Sequence, residues 1–102
     1  MSKEKAPPKL TPGQEERIAS LFKMLGEPMR LRILQAVCQA PRTVGEIVDV
    51  AGSTQPNVSK HLALLAAAGI LRRERNGQSV RYGVKNELAL ELCHLVRAHL
   101  GP

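Results

Sequence analysis

The sequence predicts a mainly α fold, about five helices with a single two-stranded β-hairpin, on three observations. Apolar residues recur at helical spacing in successive segments, and two of these open on Thr-x-x-Gln or Thr-x-x-Glu, the pattern that caps a helix start. Strand-like alternation appears once, on either side of Asn76-Gly77. The chain has 102 residues, enough for one domain with a modest core.

Met1 to Lys9 carries two prolines and three lysines and reads as a disordered basic arm. The arm is therefore assigned to residues 1–10 and the folded domain to 11–100. Thr11 as N-cap, Pro12 at the first helical position and Gln14 make a capping box, after which Ile18, Leu21, Phe22 and Leu25 form a stripe ended by Gly26. A second helix opens at Pro28, with Leu31, Leu34, Val37 and Cys38 inward and Arg30, Arg32 and Gln35 more exposed, and is expected to stop at Pro41. Thr43 and Glu46 form another capping box, for a helix with Val44, Ile47, Val48 and Ala51 inward. Gly52 then permits a sharp turn.

The next helix is "STQPNVSKHLALL", Ser53 to Leu65. Val58, His61, Leu62 and Leu65 fall at i, i+3, i+4 and i+7 and predict a buried face, opposite Gln55, Asn57, Lys60 and Ala63. Ser53 or Thr54 can cap it, and Pro56 is tolerated in a first turn whose N–H groups lack helical partners. Capping leaves Gln55, Asn57, Ser59 and Lys60 unexplained; side chains of this kind bond base edges and phosphates. His61 is expected to be a packed histidine bonded to backbone.

Two short helices joined by a glycine-containing turn, the second with a polar exposed face, describe a helix-turn-helix. In "ILRRERNGQSVRYGV", Asn76 and Gly77 both tolerate the positive φ of a type I′ turn. Ile70, Arg72 and Glu74 alternate with Leu71, Arg73 and Arg75, and Val80, Tyr82 and Val84 with Ser79, Arg81 and Gly83. A basic hairpin directly after a helix-turn-helix is a wing. The last segment, "NELALELCHLVRAHL", is apolar round more than half its circumference, more than one neighbour covers, which points to a subunit interface shared with the first helix.

Lys plus Arg number 15 against 9 acids, a formal charge of +6 that favours a polyanionic partner. From Ser53 to Lys85 the basic residues Lys60, Arg72, Arg73, Arg75, Arg81 and Lys85 are opposed by Glu74 alone. The two aromatics, Phe22 and Tyr82, argue against single-strand or RNA binding, which relies on base stacking. No phosphate loop, nucleophile elbow or metalloprotease motif is present, so an enzyme is not expected. The absence of a long apolar run and of a signal-peptide core predicts no membrane partner and a cytoplasmic protein with reduced thiols.

The stretches "LGEPMRLRIL", "TVGEIVDVAG", "STQPNVSKHLALLAAAGIL" and "RRERNGQSVRYGV" resemble the ArsR/SmtB family of bacterial winged helix-turn-helix repressors. The resemblance implies a homodimer joined by first and last helices on a palindromic operator of double-stranded DNA. It implies major-groove contact by Gln55, Asn57, Ser59 and Lys60, with Thr54 at the same helix end. Arg72, Arg73, Arg75 and Arg81 would meet backbone or minor groove. It also implies release by a metal, a metalloid or thiol oxidation, with no cofactor needed for DNA binding itself.

The chain departs from the best-known sensors of that family. "TVGEIVDVAG" lacks the cysteine pair of the metalloid branch, and the last helix offers Glu87, Glu91, Cys93, His94 and His99 without the spacing of the zinc branch. Relative to the sulfide-sensing branch, Cys38 lies one turn late, with Gln35 in its place, and Cys93 two turns early. Cys38 and Cys93 are sensor candidates, each weighed against a structural role as a small hydrophobe. Glu91 with His94 is the better-spaced metal pair, weighed against an ordinary exposed pair. Two alternatives stand beside a sensor repressor: a constitutive DNA binder without a sensor site, and a winged-helix protein-interaction module.

Overall fold

The computed structural model describes residues 9–102; most of the N-terminal arm expected at 1–10 lies outside the described residues. The elements run α1 (Pro12–Leu25), α2 (Pro28–Val37), β1 (Arg42–Thr43), α3 (Val44–Ala51), α4 (Gln55–Ala67), β2 (Leu71–Asn76), β3 (Ser79–Val84) and α5 (Glu87–Leu100). This is a winged helix-turn-helix, α3 and α4 forming the helix-turn-helix and β2–β3 the wing.

The helix starts follow the capping chemistry. Thr11 Oγ1 accepts from the Gln14 N–H at 3.1 Å while Gln14 Oε1 accepts from the Thr11 N–H at 3.0 Å. Thr43 and Glu46 repeat the exchange at 3.2 and 2.9 Å. These bonds occupy N–H groups that a first turn leaves without partners. Glu27 caps α2, its Oε1 accepting from the Met29 N–H at 2.6 Å. Gly52 ends α3 at φ 68°, a left-handed backbone that lets α4 leave at once.

The core is built from Ile33, Leu34 and Val37 of α2, Ile47 of α3, Val58, Leu62 and Leu65 of α4, and Ile70, Leu71, Val84 and Ala89 around the wing base. The four positions that the Ser53–Leu65 spacing marks as inward are all buried. Helix α1 divides along its stripe: Leu25 is buried, Leu21 is half-buried, and Ile18 and Phe22 are exposed. Helix α5 buries only Ala89 fully.

Four expectations are corrected. The sheet has three strands, in the antiparallel order β1-β3-β2, because Arg42 and Thr43 pair with Tyr82 and Arg81. The hairpin turn is not type I′: Asn76 pairs with Ser79 as a strand residue, and Gly77 alone of the turn has positive φ, the sign pattern of a type II′ turn with glycine first. Helix α2 ends at Val37, before Pro41, and the Arg42 Nε donates to the Ala36 carbonyl at 2.6 Å, satisfying an end carbonyl in place of a further turn. With the helix ended there, Cys38 is exposed and does not point inward.

Candidate nucleic-acid interface

Helix α4 presents two chemically distinct faces. On its outer side Thr54, Gln55 and Lys60 are exposed and Asn57 and Ser59 half-buried. Thr54 is the N-cap, its Oγ1 accepting from the Asn57 N–H at 3.3 Å, and Asn57 Nδ2 donates to Ser53 Oγ at 3.0 Å. The Asn57 carboxamide is thereby oriented at the helix start, with its oxygen and second N–H available. Gln55 extends one residue into the helix without a side-chain bond of its own among the described residues.

The inner side holds α4 in place through one polar contact. His61 is 6% exposed and its Nδ1 accepts from Arg30 Nε at 3.2 Å, so its partner is a side chain of α2 and not the expected backbone. The same guanidinium donates through Nη1 to the Met24 carbonyl at 3.3 Å and touches Met24 Sδ at 3.2 Å. Arg30, expected to be a more exposed residue, thus ties the end of α1 to the underside of α4. Helical spacing does not reveal this role, because His61 lies 31 residues away and Met24 belongs to the preceding helix.

An accepting Nδ1 requires the neutral imidazole. Burial is the leading cause that holds the His61 pKa below its ordinary value, aided by the Lys60 and Arg30 charges and opposed by Glu27. The unfolded chain therefore binds more protons just below the ordinary histidine pKa. This stabilising contribution is complete above that pKa and is lost as pH falls toward the lower folded value. Thermal melts between about pH 7.5 and 5.5 should show stability falling with pH. His61→Asn, whose Oδ1 falls at the Nδ1 position to accept from Arg30 but does not titrate, should flatten that slope; an unchanged slope would assign it to other groups.

In the wing, strand alternation separates the arginines. Arg73 and Arg75, opposite Tyr82 and Val80, are exposed on the face that carries Leu71 and Val84 at its base. Arg72 and Glu74, opposite Gly83 and Arg81, occupy the other face. Arg72 Nε pairs with Glu74 Oε2 at 2.6 Å, and Arg72 Nη1 donates to the Val84 carbonyl. Its guanidinium covers Gly83, where an added Cβ would lie 3.3 Å from Nη2. Arg81 is half-buried and, with Arg42, helps hold the Glu46 carboxyl below its usual range, an effect led by the Thr43 backbone bond.

The sensor candidates lie apart from this surface. Cys38 and Cys93 both line an apolar groove between α2 and α5, with Phe22, Leu34, Leu90 and Val96. Burial pushes the Cys93 thiol pKa up, favouring the protonated thiol. Glu91 and His94 are exposed on α5, and among the described residues no three His, Cys, Asp or Glu side chains are gathered as a metal site. No described helix is long and apolar enough to cross a membrane.

The sequence profile described as "Bacterial regulatory protein, arsR family" matches residues 27–73, from the start of α2 into the wing. The HTH-type transcriptional regulator YgaV of Escherichia coli K12 is 34% identical over 73 residues, 71% of this chain and 74% of that protein. The chain belongs to the arsR family of bacterial regulatory proteins. A "Probable mercury resistance operon repressor" of Streptomyces lividans is 38% identical over 79 residues; the match covers 78% of this chain but 63% of that relative's length. The crystal structure of Mycobacterium tuberculosis Rv0081 superposes with a TM-score of 0.75 at 32% identity, covering 89% of this chain and 91% of that one. By name, all three are transcriptional regulators or repressors.

Proposed function

We propose that this arsR-family chain is a dimeric transcriptional repressor that occludes a palindromic DNA operator and is released by an effector. The observation that carries this reading is the division of α4 into a fully packed inner face and an outer face of Gln55, Asn57, Lys60 and Thr54, beside an arginine-rich wing. Gln55 and Asn57 are assigned to base edges, where a carboxamide can bond bidentately to adenine. Thr54, Ser59 and Lys60 are assigned to phosphates at the groove edge, and Arg73, Arg75 and Arg81 to the neighbouring backbone.

A second copy would cover the apolar residues left exposed on α1 and α5, and two α4 helices would enter successive major grooves about 34 Å apart. Release then requires an effector that binds one dimer geometry better than the other. A metal, a metalloid or an oxidant of the Cys38 and Cys93 thiols is the class assigned, with the cytoplasm as the compartment.

Fluorescence anisotropy on a mixed-sequence duplex tests the reading. A dimer neutralising about 6 to 10 phosphates should lose roughly three decades or more of affinity between about 50 and 200 mM salt. Arg75→Ala should weaken all sequences alike and lower the salt slope by about one per chain. Binding that ignores salt, or an Arg75→Ala protein indistinguishable from the parent, would favour a protein-interaction module.

A further inference from the structure

Four arginines in one hairpin are not four equivalent phosphate contacts, because one of them is already engaged. Arg72 is held from three sides: by Glu74 at 2.6 Å, by the Val84 carbonyl, and by packing over Gly83, whose missing side chain leaves room for the guanidinium. The pair is the one ion pair among the described residues. Glu74 also faces Arg81 across the strands, so this wing face carries two arginines and a carboxylate, with Glu46 of α3 lying near Arg81. Arg73 and Arg75, on the opposite face, have no carboxylate within ion-pair distance among the described residues.

We propose, on the DNA-binding reading above, that Glu74 takes Arg72 out of the DNA contact set by pairing with it inside the wing. Glu74 thereby limits sequence-independent binding, and Arg73, Arg75 and Arg81 supply the wing's phosphate contacts. An exposed pair of this kind contributes little to folding. Beside a polyanion its effect is larger: a neutral pair releases no counterion, whereas a lone arginine in the same place does. The Val84 carbonyl and Gly83 would still position Arg72 without Glu74, so removing the carboxylate leaves an oriented, uncompensated cation.

The test is a charge cycle on the full chain, with wild type, Glu74→Gln, Arg72→Ala and the double variant bound to a mixed-sequence duplex between about 50 and 200 mM salt. Glu74→Gln should bind several-fold tighter at the low end and steepen the slope by about one per chain, which is roughly a tenfold greater loss over that range for a dimer. Arg72→Ala, leaving Glu74 alone, should bind more weakly with a shallower slope. The double variant should return to the wild-type slope. A double variant as weak as Arg72→Ala would show that Arg72 itself meets phosphate, and Glu74→Gln without effect would show that the carboxylate is no brake; either overturns the proposal. Glu74→Gln is nearly isosteric at an exposed site, so its arm stands even if Arg72→Ala disturbs the hairpin. Wild-type binding without salt dependence defeats the DNA reading and this proposal together, whereas salt-dependent binding with a non-compensating cycle defeats this proposal alone.

Discussion

Leu95→Glu is expected to convert the proposed dimer to a monomer and to reduce its affinity for a two-half-site operator by about 10² to 10⁴, the range gained when a second binding event becomes intramolecular. Leu95 is 67% exposed on α5, near Val96 and a 78% exposed Leu100, while α1 exposes Ile18 and Phe22. Large apolar residues collected on two helices are more than a monomeric surface ordinarily leaves to water. A glutamate at an exposed position should leave the isolated fold within about 0.5 kcal/mol of its parent. At an interface it would bury an unpaired charge. Light scattering after size exclusion should fall from twice 11.1 kDa to 11.1 kDa, with the melting transition retained. A persistent dimer would place the interface elsewhere. A monomer with undiminished operator affinity would remove dimerisation from the mechanism.

Local chemistry is what the sequence makes legible. Thr11 with Gln14, Thr43 with Glu46, and the i, i+3, i+4, i+7 spacing of Val58, His61, Leu62 and Leu65 are legible because each interaction lies within one or two helical turns. Strand β1 was not legible: two residues have no periodicity, and Arg42 and Thr43 become a strand only by pairing with β3. Cys38 looked inward because the apolar stripe was extended one residue beyond the helix that carries it. Asn76-Gly77 marks the hairpin, yet the turn itself is Gly77-Gln78, one residue later, since Asn76 completes the ladder opposite Ser79.

The interface shows the same division. Gln55 and Lys60 on the exposed side of α4 follow from helical spacing. The Arg30–His61 bond joins residues 31 positions apart, so nothing in local pattern announces it. Arg72 and Glu74 share a strand face by simple alternation, yet the sum of the wing's charges does not register their pairing. Net charge reports attraction to DNA, whereas contact depends on which charges are already neutralised.

Whether α4 reads sequence is decided by selecting binding sites from a randomised pool of duplexes and then measuring affinity for the winner against a mixed-sequence duplex. The expected winner is an inverted repeat with half-sites about 10 base pairs apart, bound at least about 10³-fold more tightly than the mixed sequence at the same salt. Gln55→Ala should cut that preference by about 1–3 kcal/mol, roughly 5- to 150-fold, while leaving the mixed-sequence affinity nearly unchanged. A pool that yields no two-fold symmetric motif, or a Gln55→Ala protein that loses both affinities equally, would contradict the assignment of α4 as the reader.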